Sequence, residues 1–151
     1  MIITDNVQLK LALFSKQPFK ALVRLLELPD KLVANDAINS IANIHLGGTS
    51  STADSEIHPH FAVFQECDGI IKIFSLFKRH ESMKDNKNAS AICIGILYKV
   101  QDITDPEMRK TVIAHLKLLI NDSNSWAKTQ AKKMLTVNKT EIEADGFTLP
   151  N

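Results

Sequence analysis

The feature that most constrains this chain is an apolar pattern that recurs three times at helical spacing. The pattern is carried by PFKALVRLLEL, GIIKIFSLFKR and VIAHLKLLIND, whose apolar positions fall on one face of a helix. The second copy begins 51 positions after the first, and the third follows 43 positions later, with Lys117 replacing one apolar residue. A polar break and a second helical segment follow each copy. The repeating unit is therefore predicted to be a helix, a bend and another helix.

A repeat of this kind predicts a stacked helical array, because one unit cannot bury its apolar face alone. The middle second helix, residues 89–100, is apolar nearly all round and should be buried. One face of the last unit should remain exposed to solvent. We expect its apolar face, which includes Trp126, to pack in the core. The alternative that AICIGILYKV is a buried parallel strand is disfavoured by its position within a helical repeat.

The chain resembles the armadillo repeat family. HPHFAVFQECDGIIKIFSLF is similar to the family's first-to-second helix junction, with Glu66, Asp68 and Gly69 in place, and NDAINSIANI is similar to its third helix. The resemblance covers residues 7–137. It implies an all-α fold, namely an armadillo-type right-handed α-solenoid of about three repeats within residues 1–137.

The first unit is expected to be incomplete, because the chain begins close to its first helix. Either residues Val7 to Phe14 cap the array, or the chain is a piece of a longer solenoid. The polar tail 138–151 has no helical period, so we expect it to be partly disordered or folded back through Phe147 and Leu149.

The hydroxyl-rich stretch GGTSSTADSE, residues 47–56, accounts for the longer first spacing. Because the two spacings differ by about eight residues, we interpret this stretch as an insertion between repeats. Gly47 is expected just past a helix C-terminus, where a positive φ is common. A phosphate-binding loop is disfavoured, since no lysine follows before Lys72 and no strand precedes the glycines.

Charge and cysteine content limit the class of protein. Residues 1–68 hold 5 Lys/Arg and 8 Asp/Glu, whereas residues 69–137 hold 12 and 6, so the second half is moderately basic. Two cysteines do not form a disulfide framework, which favours the cytoplasm, or the nucleus as the alternative. No apolar run is long enough to cross a membrane, and no signal peptide is predicted.

The sequence predicts no catalytic, cofactor or metal site. His58, His60 and Cys67 are the nearest approach to a metal site, with Asp54, Glu56 or Asp68 as a fourth ligand, but no paired cysteine motif supports it. The favoured interpretation is that the histidines flank Pro59 at a helix start and Cys67 is a small hydrophobe. Cys93 lies in the most apolar helix, where burial suppresses thiol reactivity. We therefore predict that the chain is not an enzyme.

A partner-binding groove is the sharpest functional hypothesis. Asn35, Asn39 and Asn43 recur at every fourth position, and an amide can donate and accept hydrogen bonds at once. The family resemblance implies a groove lined by third helices, in which Asn43 matches a peptide-binding asparagine and Asn39 replaces a tryptophan. By repeat register, the candidate groove residues are Asn35, Asn39, Asn43, Asn88, Lys128 and Lys132.

These residues predict a non-catalytic protein–protein interaction module or scaffold that binds a protein or peptide. One alternative is that the asparagines form only a solvated polar face. A second alternative is a nucleic-acid-associated helical adaptor that uses the basic second half, although aromatic residues for base stacking are scarce there.

Overall fold

The computed structural model describes residues 7–79 and 83–137, and within these two ranges every regular element is a helix. The helices are α1 (Val7–Ser15), α2 (Phe19–Leu25), α3 (Lys31–Ser50), α4 (Phe61–Glu66), α5 (Gly69–Lys78), α6 (Lys84–Leu97), α7 (Pro106–Leu119) and α8 (Ser125–Val137). The prediction of an all-α fold is confirmed. The strand alternative for AICIGILYKV is wrong, because most of that segment lies in α6. The tail 138–151 is outside the described residues.

Aspartates placed just before two of these helices help to start them. The carboxylate of Asp30 accepts hydrogen bonds from the backbone N–H groups of Leu32 and Val33, at 2.9 and 3.2 Å. Asp105 does the same for the N–H of Met108 at 2.6 Å, and Pro106 follows at the first position of α7. Both side chains satisfy backbone donors that a helix N-terminus leaves without partners, so each of these helix starts is determined by a residue next to it in the sequence.

The short α4 turns into α5 through Asp68 and Gly69. Asp68 adopts a left-handed conformation with φ of 57°, which a short polar side chain tolerates. Gly69 is required for a different reason. A Cβ atom at this position would lie 2.4–2.6 Å from the ring of Phe64. The acidic residue and glycine of the sequence junction therefore reverse the chain and let α5 approach α4 closely.

Helix α6 lies at the centre of the molecule. It packs against α3, α5, α7 and α8, and all seven residues from Ala91 to Leu97 are buried. The predicted burial of the middle helix is confirmed for residues 89–99, whereas Val100 is 39% exposed. The helix starts at Lys84, five residues before the apolar run, and ends at Leu97 rather than residue 100.

The apolar face of α8 is buried except at Trp126. Ala127, Ala131, Met134 and Leu135 are at most 2% exposed, whereas Trp126 is 36% exposed. The expectation that Trp126 packs in the core is therefore wrong. Its indole lies at the start of α8, where the chain enters from a turn and borders an open cavity.

Helix α3 continues through both glycines and ends at Ser50, so the expected helix end before Gly47 is wrong. The glycines allow close approach instead of a positive φ. A Cβ atom on Gly47 would lie 2.5 Å from Cβ of Lys10, and one on Gly48 would lie 2.8 and 2.9 Å from the rings of His60 and His58.

The hydroxyls that follow these glycines terminate the helix. Ser51 Oγ and Thr52 Oγ1 both donate hydrogen bonds to the carbonyl oxygen of Gly48, at 2.8 and 3.1 Å. The carbonyls of a last helical turn need such donors. The hydroxyl-rich stretch therefore caps α3 before the chain continues toward α4.

Candidate functional site

A cavity of about 220 Å³ opens between α3, α6 and α8. We call it the asparagine cavity, because amide side chains from two helices and one turn dominate its lining. The lining residues are Asn35, Asn39, Ala42, Asn43, Asp85, Asn88, Ala89, Asn124, Trp126 and Ala127.

Hydrogen bonds orient several of these amides. The Nδ2 group of Asn39 donates to Oδ1 of Asn35 one turn earlier, at 3.1 Å. Oδ1 of Asn88 lies 2.9 Å from Nε2 of His115, and because an amide oxygen only accepts, the imidazole N–H is the donor. Oδ1 of Asn124 accepts from a backbone N–H in the first turn of α8. The cavity wall is thus partly pre-organised.

The structure brings together four of the six residues that the sequence predicted for a groove. Asn35, Asn39, Asn43 and Asn88 share the cavity, but Lys128 and Lys132 do not line it. Helix α8 directs its first turn, including Trp126, toward the cavity.

Besides three alanines, the lining contains three polar or aromatic residues that sequence reasoning missed. Asn124 and Trp126 come from the turn before α8 and its first residues, and Asp85 from the first turn of α6. Repeat register could not reveal them, because it aligns helices rather than the turns between them. The indole nevertheless supplies an aromatic surface beside asparagines.

The electrostatic character of the cavity is neutral to acidic. Asp85 is the one ionisable side chain among the described residues that line it. Lys84 points instead to Asp122, with an Nζ–Oδ2 distance of 2.7 Å. Burial, followed by the charge of Lys87, lowers the pKa of His115, so this histidine is neutral at pH 7. The cavity therefore offers no fixed cation to a phosphate group.

A second polar constellation lies deeper in the fold. His45 of α3 meets His58 and His60, which precede α4, and one nitrogen atom from each ring lies within 4.8 Å of the other two. All three residues are at most 1% exposed. We call them the histidine cluster.

The cluster is connected by hydrogen bonds through both rings and backbone. The Nδ1 atoms of His45 and His60 are 3.2 Å apart. The backbone N–H of His60 donates to Nδ1 of His58 at 3.2 Å. Nε2 of His58 therefore carries the proton and donates to the carbonyl oxygen of His45 at 2.9 Å. Within the described part of the chain, Nε2 of His45 has no partner, an arrangement that typically costs about 1–3 kcal/mol.

Aromatic rings and burial keep the cluster neutral. The ring of Phe14 stacks on His60 with a centroid distance of 3.9 Å, and Phe19 and Phe64 pack against His45. Burial lowers the pKa of His58 to about 4 and that of His60 to about 3, and lowers the pKa of His45 well below its usual value. All three imidazoles are therefore uncharged at pH 7 and keep their lone pairs.

A buried lysine lies near the cluster. Lys99 is 4% exposed, and its ammonium donates to the carbonyl oxygen of Ala53 and to Oγ1 of Thr52, at 2.7 and 3.1 Å. Its charge contributes to the lowered pKa of His58. The ammonium thereby ties the segment just after α6 to the loop after α3.

The histidine cluster differs from the metal set weighed in the sequence. His58 and His60 do come together, but their third partner is His45 and not Cys67. The Cys67 thiol is half-buried and donates to the carbonyl oxygen of Phe64 at 3.4 Å. Sequence reasoning missed His45 because a lone histidine on an apolar helix gives no local signal.

No family model, curated protein or solved structure matches this chain. Across residues 7–79 and 83–137, no helix combines the length and apolar character needed to cross a membrane.

Proposed function

We propose that this chain is a non-catalytic protein-interaction module, built as an armadillo-like helical solenoid, which binds an extended peptide segment in the asparagine cavity. The helices group along the chain as α1–α3, α4–α6 and α7–α8, in keeping with three stacked units. The order of contacts supports this grouping, because α3 packs on α6 and α6 packs on α8.

The observation that carries the proposal is the convergence of Asn39, Asn43 and Asn88 beside Trp126. An extended peptide has one donor and one acceptor per residue, which an amide side chain can match simultaneously. An exposed indole provides apolar area at low entropic cost, and tryptophan is enriched among the residues that dominate binding energy. Each of these groups is poorly suited to covalent chemistry, which supports a binding role.

The chemistry of the lining favours a neutral or basic peptide. Asp85 would attract a lysine or arginine side chain, whereas acidic or phosphorylated partners would meet no cation in the lining. The alternative of a nucleic-acid adaptor gains no support from this cavity, since phosphate contacts require lysine or arginine. That alternative stays a prediction for the basic surface elsewhere.

The chain contains one tryptophan, so intrinsic fluorescence reports on this cavity directly. Peptides selected from a random display library on the purified chain would be titrated against it. We expect saturable changes in Trp126 emission, with affinity weakened about tenfold or more by Asn43→Ala. Asn121→Ala, an exposed asparagine outside the cavity, is the matched control.

The proposal fails if selected peptides bind without any change in emission and with equal affinity to Asn43→Ala and the parent chain. A duplex DNA titration at rising salt tests the alternative. Binding that weakens steeply with salt while the Asn43→Ala substitution has no effect would favour the adaptor.

A further inference from the structure

The histidine cluster has a composition that suits a transition-metal ion. Its three side chains supply imidazole nitrogen only, with no thiolate or carboxylate. Imidazole ligands suit Zn²⁺, Cu²⁺, Fe²⁺ and Ni²⁺, whereas Mg²⁺ and Ca²⁺ prefer oxygen. We propose that His45, His58 and His60 bind a single divalent transition-metal ion, Zn²⁺ foremost, through three imidazole ligands.

The spacing of two rings already matches such an ion. At Zn–N distances of about 2.0–2.1 Å, two ligands of a tetrahedral zinc ion lie about 3.3 Å apart. The Nδ1 atoms of His45 and His60 are 3.2 Å apart. The widest separation in the cluster is at most 4.8 Å, so the third ligand closes by roughly 1.5 Å to complete a tetrahedral face.

The surroundings of His58 supply an outer-shell partner. Metal-bound histidines usually donate their other ring N–H to a carboxylate or backbone carbonyl, which fixes the ring orientation. Nε2 of His58 makes this bond to the carbonyl oxygen of His45. On metal binding, Nδ1 of His58 would give up the hydrogen bond that it accepts from the His60 N–H and would bind the ion instead.

The role of the ion follows from burial. Catalytic zinc ions keep an open coordination position that substrate can reach, but these rings are at most 1% exposed and Phe14 stacks on one of them. The site would therefore be structural. It would hold the end of α3 to the segment that starts α4 and thus join the first two helical units. The positive charge of the nearby Lys99 ammonium repels a bound cation and so lowers the zinc affinity that a titration measures.

Zinc binding is tested on the full chain after chelator treatment. Because the rings are covered, ZnCl₂ is added both to folded protein and during refolding from denaturant, so that restricted access does not mask binding. We expect one zinc per chain, a raised thermal midpoint, and X-ray absorption typical of nitrogen ligands near 2.0 Å. Co²⁺ should give the visible bands of a tetrahedral ion.

Two variants assign the site. His58→Gln should weaken zinc binding by at least about 100-fold, more than the usual loss of an outer-shell partner. The chain has five histidines, so the double variant His80→Gln/His115→Gln leaves only the cluster histidines and changes none of the proposed ligands. This variant should retain the nitrogen spectrum even if His58→Gln does not fold.

Three results would overturn the proposal. These are no zinc retained after either loading procedure, sulfur in the first shell at about 2.3 Å, and loss of binding in the His80→Gln/His115→Gln variant. A folded His58→Gln chain that binds zinc as tightly as the parent would equally refute it.

Discussion

The asparagine cavity and the histidine cluster are both built on α3, yet they have opposite physical characters. Asn35, Asn39 and Asn43 face an open space of about 220 Å³, while His45, one half-turn further on, is completely buried among aromatic rings. Amides remain uncharged at any pH and form hydrogen bonds in water at little net cost. Imidazoles placed in an apolar interior are coupled to the stability of the fold. One helix thus carries a surface suited to recognition and an interior group that responds to protons.

Acid should reveal the largest difference between the two regions. The pKa values of all three cluster histidines are lowered in the folded chain, so their neutral forms stabilise it above about pH 6.5 and this stability is lost as pH falls. Each histidine then contributes a slope of up to about 1.4 kcal/mol per pH unit, or about 2 kcal/mol between pH 6.5 and 5. Urea unfolding in the presence of a chelator, followed by circular dichroism, measures this loss.

Stability that stays level from pH 7.5 to 5 would contradict the acid prediction. Asn39→Ala and Asn43→Ala serve as controls and should leave the pH slope unchanged, whereas Asn88 is unsuitable because it bonds His115, whose pKa is also lowered. Carboxylates with lowered pKa values, such as Asp122, change the stability mainly below pH 5. The range from pH 7.5 to 5 therefore separates their effect from that of the histidines.

Truncating one aromatic residue in each region should sharpen the same comparison. Phe64 is fully buried and packs edge-on against Phe19 and His45. Phe64→Ala should lower the free energy of unfolding by about 3–5 kcal/mol. Trp126→Ala should lower it by only about 1 kcal/mol, because this indole is 36% exposed. Equal losses in chemical denaturation would show that the cavity wall is as integral to the core as the cluster is.

Two helical glycines form a matched pair for packing. Alanine normally stabilises a helix relative to glycine by about 1 kcal/mol. Gly48→Ala should nevertheless destabilise the fold by about 1–3 kcal/mol, since its Cβ would lie 2.8–2.9 Å from the His60 and His58 rings. Gly95→Ala should change stability by less than about 1 kcal/mol, because its closest neighbour, Met134 Cγ at 3.0 Å, belongs to a flexible side chain. Thermal unfolding of both variants checks the order, and a stabilised Gly48→Ala chain would contradict it.

The smallest effect on stability is expected for Asn39→Ala. This substitution removes one amide pair on a helix surface, the 3.1 Å bond to Asn35, which contributes about 0.2–0.5 kcal/mol. Asn39→Ala should therefore unfold at nearly the same denaturant concentration as the parent chain. A loss above about 1 kcal/mol would mean that the cavity is a structural feature and not a surface kept for a partner.

The helices and the buried middle element could be predicted from the sequence because apolar periodicity and capping residues are local signals. The positions of Asp30 and Asp105 before helices illustrate this, since each carboxylate meets N–H groups within three residues. Four asparagines of the cavity could also be predicted from the sequence, because repeat register aligns α3 with α6.

Close approach between segments that are far apart in the sequence could not be predicted in the same way. Gly47 is typical of a helix-terminating residue in the sequence, whereas in the fold its missing side chain lets Lys10 approach α3 closely. His45 was missed, and Trp126 was wrongly expected in the core, for a related reason. Their surroundings come from residues 13 or more positions away, and periodicity does not report which side chains meet across helices.

The central position of α6 has a consequence for how the chain unfolds. Because α6 contacts α3, α5, α7 and α8, neither the helices before it nor those after it keep a complete apolar interface once it is lost. Amide protons of Ala91 to Leu97 should therefore exchange with solvent only through global opening, while those of α1, which has no buried residues, exchange through local opening. We therefore expect the slowest-exchanging amides of the described residues to lie in α6, and α1 to open before the rest of the fold.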